Sequence, residues 1–416
     1  MEHTLEPVAF LPAARECLAV RDSSVHCQIE TDFRTIEYLR KDWDQAALEL
    51  GAPVCMTFDW LKTWWEQYGE GAVLRIFLFW SGPRLRCMLP VYLETFGVSR
   101  LQTVVARIVG ANLPPRRFDP PVDSTCAQEV FAQVYHQLFA VDGCDLLSFG
   151  PVSEAWPAWP ALFGAAVGAN GRPLAAVSSR VTEVNVVFGL FGDFAKKLTS
   201  GKTAKHYLRE LERRGGITTD VISAPEDLES CFEMFAKQHA EQWRLVGKGG
   251  HYAAWPRAHA FHRALIECQG RLGRVRFYRI LAAGEMIACC YAYTWGTTLS
   301  WEMPSRIVGA EWDRVGLGKA AFIRMCQSAL TTELSSVDAG LGNYAYKANL
   351  GGTMVPVRTA RVVPCRWPGR VKCTLFLVVA TIIKVIYHKI WYRRILHRLP
   401  EWVGRSQSRF SLRFEV

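Results

Sequence analysis

Two glycines one residue apart, Gly316 and Gly318, stand just ahead of a run in which Phe322, Ile323, Met325, Cys326, Ala329 and Leu330 recur at helical spacing. A glycine-bearing loop that opens an amphipathic helix presents backbone N–H groups at the helix N-terminus, where a pyrophosphate can be held. Residues 299–303, bulky and aromatic between Gly296 and Pro304, read as a strand on one side of this unit. Residues 337–340 read as a second strand on the other side. Strand, glycine loop, helix, strand points to an α/β arrangement. A tight turn that needs only small residues would show the same two glycines.

The rest of the chain bounds the answer. Its 416 residues, half of them hydrophobic, suffice for two packed cores. Thirteen cysteines are scattered without a C-x-x-C pair, and the adjacent Cys289 and Cys290 lie in an apolar strand. Neither a zinc site nor a disulfide framework is expected. Glu2, Glu6 and Arg15 interrupt the N-terminus, so a secretory signal is not expected and a reducing cytoplasm is. The net charge of +10 is a property of the tail: residues 361–416 hold twelve Lys and Arg against Glu401 and Glu415, and the other 360 residues balance. A neutral body gives no electrostatic case for binding DNA.

Along the chain, residues 1–30 read as a leader. Residues 33–50 form one amphipathic helix through Phe33, Ile36, Leu39, Trp43 and Leu48, and 58–68 form another, capped by Thr57 or Asp59. Strands over 73–80 and 85–93 meet at Ser81-Gly82-Pro83. Residues 110–121, with four prolines and two arginines, read as a loop that either lines a cleft or, the preferred reading, is a surface connection. A helix over 128–139 and a strand over 144–149 repeat the order of 319–330 and 336–340, each strand carrying an aspartate, Asp145 or Asp338. Two tandem folds follow. The first lacks the glycine loop and would form a wall of an acceptor cleft. After the linker 151–173 and a strand over 181–187, residues 194–214 read as one helix with Lys205, Arg209 and Arg213 on one face and Leu208 and Leu211 inward. That basic face either grips phosphates or is solvated charge. His239 and Trp243 are neighbours on a helix over 228–245; His239 is a candidate base and equally a packed side chain. A helix over 261–268 and a hairpin of 275–282 with 286–294 about Gly284 complete the body.

The loop Asp313-x-x-Gly316-x-Gly318 resembles the Q/R-x-x-G-x-G/A signature of the acetyl-CoA-binding GNAT superfamily, with Asp313 in place of the Gln or Arg. Val337-Asp338-x-Gly340-x-Gly342-Asn343, running on to Tyr346-Lys347, resembles the strand and loop of CelD-like acetyltransferases. Those proteins are associated with cellulose and exopolysaccharide synthesis and are related to Fem-type transferases of peptidoglycan cross-bridges. Phe58-Asp59-Trp60, Pro90-Val91-Tyr92, Lys202-x-x-x-His206-x-x-Arg209 and Gln238-x-x-x-x-Trp243-Arg244 agree in order, so the resemblance spans residues 30 to 360.

The resemblance implies a mixed α/β fold of two tandem GNAT-like domains. They would be 31–175, without cofactor, and 176–365, the acyltransferase domain, followed by a basic amphipathic tail over 366–416. It implies an acyl-CoA, acetyl-CoA first, held by Arg314, Val315, Gly316, Leu317, Gly318 and Lys319, with Arg314 or Lys319 supplying the charge that Asp313 cannot. Lys202, His206, Arg209 and Trp243 would meet the substrate. Glu302, on the strand facing the cofactor, is a candidate base; Asp338 would orient an acceptor hydroxyl or cap the following turn. Lys347, preceded by Tyr346, would stabilise an oxyanion or hold a phosphate. Tyr344 stands where the family has an acid. No metal is called for. The acceptor would be a sugar or an amine. An aminoacyl-tRNA donor, as in Fem-type proteins, ranks lower because no heptad arm is present; a non-catalytic scaffold is a third reading.

Beyond residue 363 the resemblance ends. Residues 374–383 form an apolar run of ten, too short to span a bilayer alone. Residues 372–399 read either as a helix in a membrane interface, anchored by Trp391 and Tyr392 and drawn to anionic lipid by Arg393, Arg394 and Arg398, or as a helix closing the second domain's sheet. The first reading puts the protein peripherally on the inner face of the membrane. Residues 405–413 are expected as a disordered basic end.

Overall fold

The structure is a computed structural model that describes residues 25–97, 102–111, 116–167, 171, 173–245, 247, 250–395 and 413–414. Residues 1–24 of the expected leader lie outside these. Its last residues are the edge strand β1 (His26–Glu30), antiparallel to β2 (Val73–Ser81) with His26 opposite Trp80. The expected helix over 33–50 is split: a 3-10 segment, Phe33–Leu39, kinked at Ile36 with φ −118° and ψ 20°, precedes α1 (Arg40–Glu49). Helix α2 (Phe58–Tyr68) starts as expected but is capped from outside: Asp44 of α1 accepts from the Phe58 N–H at 2.9 Å. The Thr57 hydroxyl turns back to the Val54 carbonyl, and Asp59 pairs with Arg40 at 2.9 Å.

Two units of like order follow. In the first, β2, β3 (Arg84–Phe96) and β4 (Thr103–Ile108) form an antiparallel meander, and α3 (Ala127–His136) crosses to β5 (Leu146–Ser153), parallel to β4. Helix α4 (Trp159–Gly164) leads to β6 (Ala175–Gly189). In the second unit, α5 (Gly192–Ser200) and α6 (Lys202–Glu212) replace the single expected helix. The break is at Gly201, where a Cβ would meet the Lys197 carbonyl at 2.4 Å. There follow β7 (Ile217–Ile222), α7 (Pro225–Leu245), α8 (Gly250–Ala254) and α9 (Ala258–Arg271). A second meander, β8 (Val275–Ala282), β9 (Glu285–Trp295) and β10 (Thr298–Arg306), runs through α10 (Ala310–Asp313) and α11 (Leu317–Ala329) to β11 (Ser336–Leu341), parallel to β10. After α12 (Ala345–Asn349) come β12 (Thr353–Pro364) and α13 (Trp367–Ile383).

All twelve strands form one sheet, ordered β1-β2-β3-β4-β5-β12-β6-β11-β10-β9-β8-β7. Each unit lends its last strand to the other: β6 lies against β11, and β12 lies between β5 and β6. The cores join likewise. Trp60 of α2 meets Phe261 of α9 and Tyr293 of β9 with ring centroids 6.4 and 4.8 Å apart, so the first unit's apolar core runs on into the second. A second core lies under α6 and α11.

Helix α13 does not close the second unit's sheet. Cys373, Phe376 and Ala380 pack on Phe96, Val105 and Leu146 of the first unit. It continues over Lys384–Ile395 as a wider π-helical run, and Gly369–Trp391 becomes a 23-residue apolar helix rather than a short run of ten. Arg413, expected in a disordered end, is bound: its Nε donates to Glu94 at 2.7 Å, and its carbonyl accepts from Arg107 at 2.6 Å. Residues 405–412 and Arg398 lie outside the described residues.

Candidate active site

The parallel strands β10 and β11 pair at Thr298 with Ser336, Leu299 with Val337 and Ser300 with Asp338, and then part. A bulge in β10 between Trp301 and Met303 widens the opening. The result is a cleft of about 230 Å³ at the carboxyl ends of the two strands, the end from which the loop to α11 also leaves. Parting strands frees backbone groups that need new partners. On β11 they have one: Lys347 Nζ donates to the carbonyls of Ala339, Gly340 and Leu341 at 2.7, 3.3 and 3.2 Å. Lys347 is fully buried, its pKa pushed down to about 8 by burial. The amine expected to meet an oxyanion or a phosphate therefore ties off the strand end. Tyr346 packs edge-on to Phe322 of α11, and burial raises its hydroxyl pKa. Tyr344 is 56% exposed.

The other two candidate catalytic residues face each other across the cleft. Asp338 does cap its turn, accepting from the Gly340 N–H at 2.9 Å, and also from Asn185 Nδ2 of β6 at 2.9 Å. Its second oxygen pairs with Arg117 at 3.2 Å. Glu302, whose side chain is 4% exposed, pairs closely with Arg116. Both arginines belong to the segment 110–121, expected as a surface connection. It turns inward because Phe118 is buried and Arg116 stacks over Trp60 at 4.7 Å. The first unit thus supplies cations to the second unit's carboxylates. Arg117 also reaches Asp119 at 3.5 Å; burial raises the Asp119 pKa, against the pull of that arginine. Two adjacent arginines bracketed by prolines were the available sequence signal.

His251 and Cys55 complete the wall. Burial pushes the Cys55 thiol up to about 12, so it enters as a neutral group and not as a thiolate nucleophile. His251 Nε2 lies 3.0 Å from His262 Nε2, and His262 Nδ1 lies 3.4 Å from the Tyr291 hydroxyl, which meets that of Tyr293. His239 is a bracket behind this chain, not a base in the cleft: Nδ1 faces the Pro304 carbonyl at 3.0 Å, and Nε2 accepts from the His251 N–H at 3.3 Å. Burial pulls the pKa of His239 down to about 4 and of His251 to about 3, and that of His262 well below the usual value. Among the described residues no group of His, Cys, Asp and Glu is placed to hold a metal.

The glycine loop follows the carboxyl end of β10 through α10, and none of its residues lines the cleft. Gly316 caps α11 in the left-handed region, φ +69°, and a Cβ there would meet the Tyr207 ring at 2.8 Å. A Cβ on Gly318 would find only the Arg306 side chain, at 3.9 Å, so this backbone is open to a ligand. Val315 and Leu317 are core side chains and offer only backbone. Arg314 is exposed, and Lys319 donates to the Tyr207 hydroxyl at 2.8 Å. Asp313, the departure from the usual loop, is paired with Arg306 at 3.2 Å, which offsets its charge. These residues fit a pyrophosphate. Lys202, His206 and Arg209 lie on the solvent side of α6, and Trp243 packs beside His239; none of the four lines the cleft. We expect Gly316→Ala to lower stability by about 1–3 kcal/mol, the cost of a left-handed non-glycine residue, and Gly318→Ala to leave it level or raise it, as thermal melts will show.

Residues 200–348 match the family described as Acetyltransferase (GNAT) domain. No curated protein matches. Among solved structures, FemX is 9% identical, with 77% of this chain and 95% of that one covered and a TM-score of 0.53. L-PGS from Bacillus licheniformis is 12% identical over 82% and 96%, with a TM-score of 0.46. A tandem GNAT protein from the clavulanic acid biosynthesis pathway is 14% identical over 80% and 98%, with a TM-score of 0.39. Residues 200–348 are thus similar to an acetyltransferase (GNAT) domain, and they are set in a sheet that runs on through a first unit of like strand order.

Proposed function

We propose that the protein moves an acyl group from an acyl-CoA, acetyl-CoA in the first instance, to a hydroxyl or amine of a sugar or amine acceptor in envelope or exopolysaccharide synthesis. The observation that carries this reading is the parting of β10 and β11, with two carboxylates inside and the open start of α11 following the carboxyl end of β10 through α10. The Lys319 and Ala320 N–H groups donate to the Gly316 carbonyl at 2.9 and 3.1 Å, which leaves those of Leu317 and Gly318 at the open start of α11 to hold a phosphate, helped by the side chains of Lys319 and Arg314. Acyl-CoA supplies the thioester. Glu302 takes the proton as the acceptor's oxygen or nitrogen bonds to the acyl carbon, the carbon–sulfur bond breaks, and the thiolate leaves. Backbone N–H groups of β10 at the bulge stabilise the oxyanion. Asp338, fixed by Asn185 and Arg117, orients the acceptor.

Calorimetric titration with acetyl-CoA tests the donor. Gly318→Glu is the sound loop-blocking variant, since Gly316 is needed for the fold. Binding by the parent that is lost in Gly318→Glu supports the reading; no binding by either transfers the donor role to an aminoacyl-tRNA. With a turning-over acceptor in hand, Glu302→Gln is expected to lower kcat by about 10²–10⁴ with little change in KM. Unchanged kcat would remove Glu302 as the base.

A further inference from the structure

Helix α13 buries one face and shows the other. Cys373, Phe376 and Ala380 are docked, with the Phe376 ring 4.8 Å from Phe96 and 5.7 Å from Phe414. Away from them Trp367, Val371, Leu375, Val378, Ile382 and Ile386 are all exposed, Trp367 by 77%. From Trp367 to Ile382 they stand at i, i+4, i+8, i+11 and i+15, one continuous stripe of a 3.6-residue helix, about 22 Å long, which Ile386 extends onto the π-helical run. An exposed apolar face of this length marks an interaction surface.

Charge says what covers it. Residues 366–395 contain seven Lys and Arg and no Asp or Glu. Arg370, Lys384, Lys389 and Arg394 are exposed along the same helix. A second copy would bring the same cations against each other, whereas an anionic surface complements them. We propose that this stripe seats the protein on an anionic lipid surface, with the helix axis in the membrane plane. By length and composition alone the 23-residue helix Gly369–Trp391 suffices to cross a bilayer. Crossing would strip Phe376 from Phe96 and Phe414 and take Lys384 into the hydrocarbon. Lying in the interface keeps the docked face packed and the cations at headgroup level. The surface is independent of the acyl-transfer reading.

The test is flotation of the full chain with vesicles of phosphatidylcholine, alone or mixed equally with phosphatidylglycerol. Flotation with the mixed vesicles, weakened by salt, is expected. Val378→Glu/Ile382→Glu should weaken binding at least about hundredfold by removing apolar area and adding like charge to the lipid. Its melting curve should match the parent's, because both side chains face solvent. Lys384→Glu/Lys389→Glu should cost about tenfold or more. Failure to float on mixed vesicles, or equal flotation of Val378→Glu/Ile382→Glu, overturns the proposal. So does a parent dimer that this variant makes monomeric without any vesicle binding, which would assign the stripe to a second copy. Vesicle-bound protein that resists alkaline carbonate would overturn the in-plane placement.

Discussion

Arg117→Leu is expected to lower the free energy of unfolding by about 3–5 kcal/mol, the range for removing one partner of a buried ion pair. The guanidinium lies between Asp119 at 3.5 Å and Asp338 at 3.2 Å. Asp119 is 7% exposed, and its other oxygen accepts from the Ser153 N–H at 2.6 Å, so it cannot turn to solvent without breaking that bond. Without the arginine two carboxylates are left in a nearly dry site without their ion-pair partner. The loss is expected to be coupled. Arg117→Leu/Asp338→Asn removes one of the stranded charges and should be more stable than the sum of its single substitutions predicts, by about 1–3 kcal/mol. Urea unfolding at pH 7 measures both. Simple additivity would mean that the pair does not hold the two units together across the cleft.

The second large effect is on acid stability. His239 is 3% and His262 0% exposed, and burial holds His239 at about 4 and His262 well below its ordinary value. Between pH 6.5 and 4 the unfolded chain therefore binds protons that the folded chain refuses. Unfolding free energy must fall as pH drops through this window, by up to about 1.4 kcal/mol per pH unit for each such histidine. For His239 alone the fall amounts to about 3 kcal/mol, a large part of the stability of an ordinary domain. The decline should begin above pH 5, before most carboxylates titrate. His239→Gln, whose amide can still donate to the Pro304 carbonyl, should flatten the slope by about one proton. A urea midpoint that stays level from pH 7 to pH 5 would show that these imidazoles are free to charge in the folded state.

The second unit was legible because its signals are local. The 275–282 hairpin partner, the strand that became β10, the glycine loop and α11 each follow from period and punctuation within about a dozen residues. Gly316 was singled out for the loop, and its left-handed backbone under Tyr207 gives the reason. Glu302, the candidate base, and Asp338, the candidate for orienting an acceptor, both line the cleft. Lys347 and His239 were harder. Whether an amine or an imidazole is a reagent or a brace depends on which carbonyls end up beside it, and those of β11 and Pro304 are placed by sheet register and helix packing.

The α/β class, the recurrence of hairpin, helix and strand, and the glycine-opened helix follow from the residues alone, since backbone propensity and apolar period act within an element; β4, the third strand of the first meander, does not. It is long-range packing that exchanges β6 and β12 between the units, closes Arg116 and Arg117 on Glu302 and Asp338, and docks α13 on the first unit with its other face outward. An apolar stripe states that it will be covered, and a charge that it will be paired; neither names the partner. Those partners lie more than 180 residues away along the chain in the Arg116–Glu302 pair, and topology alone brings them together.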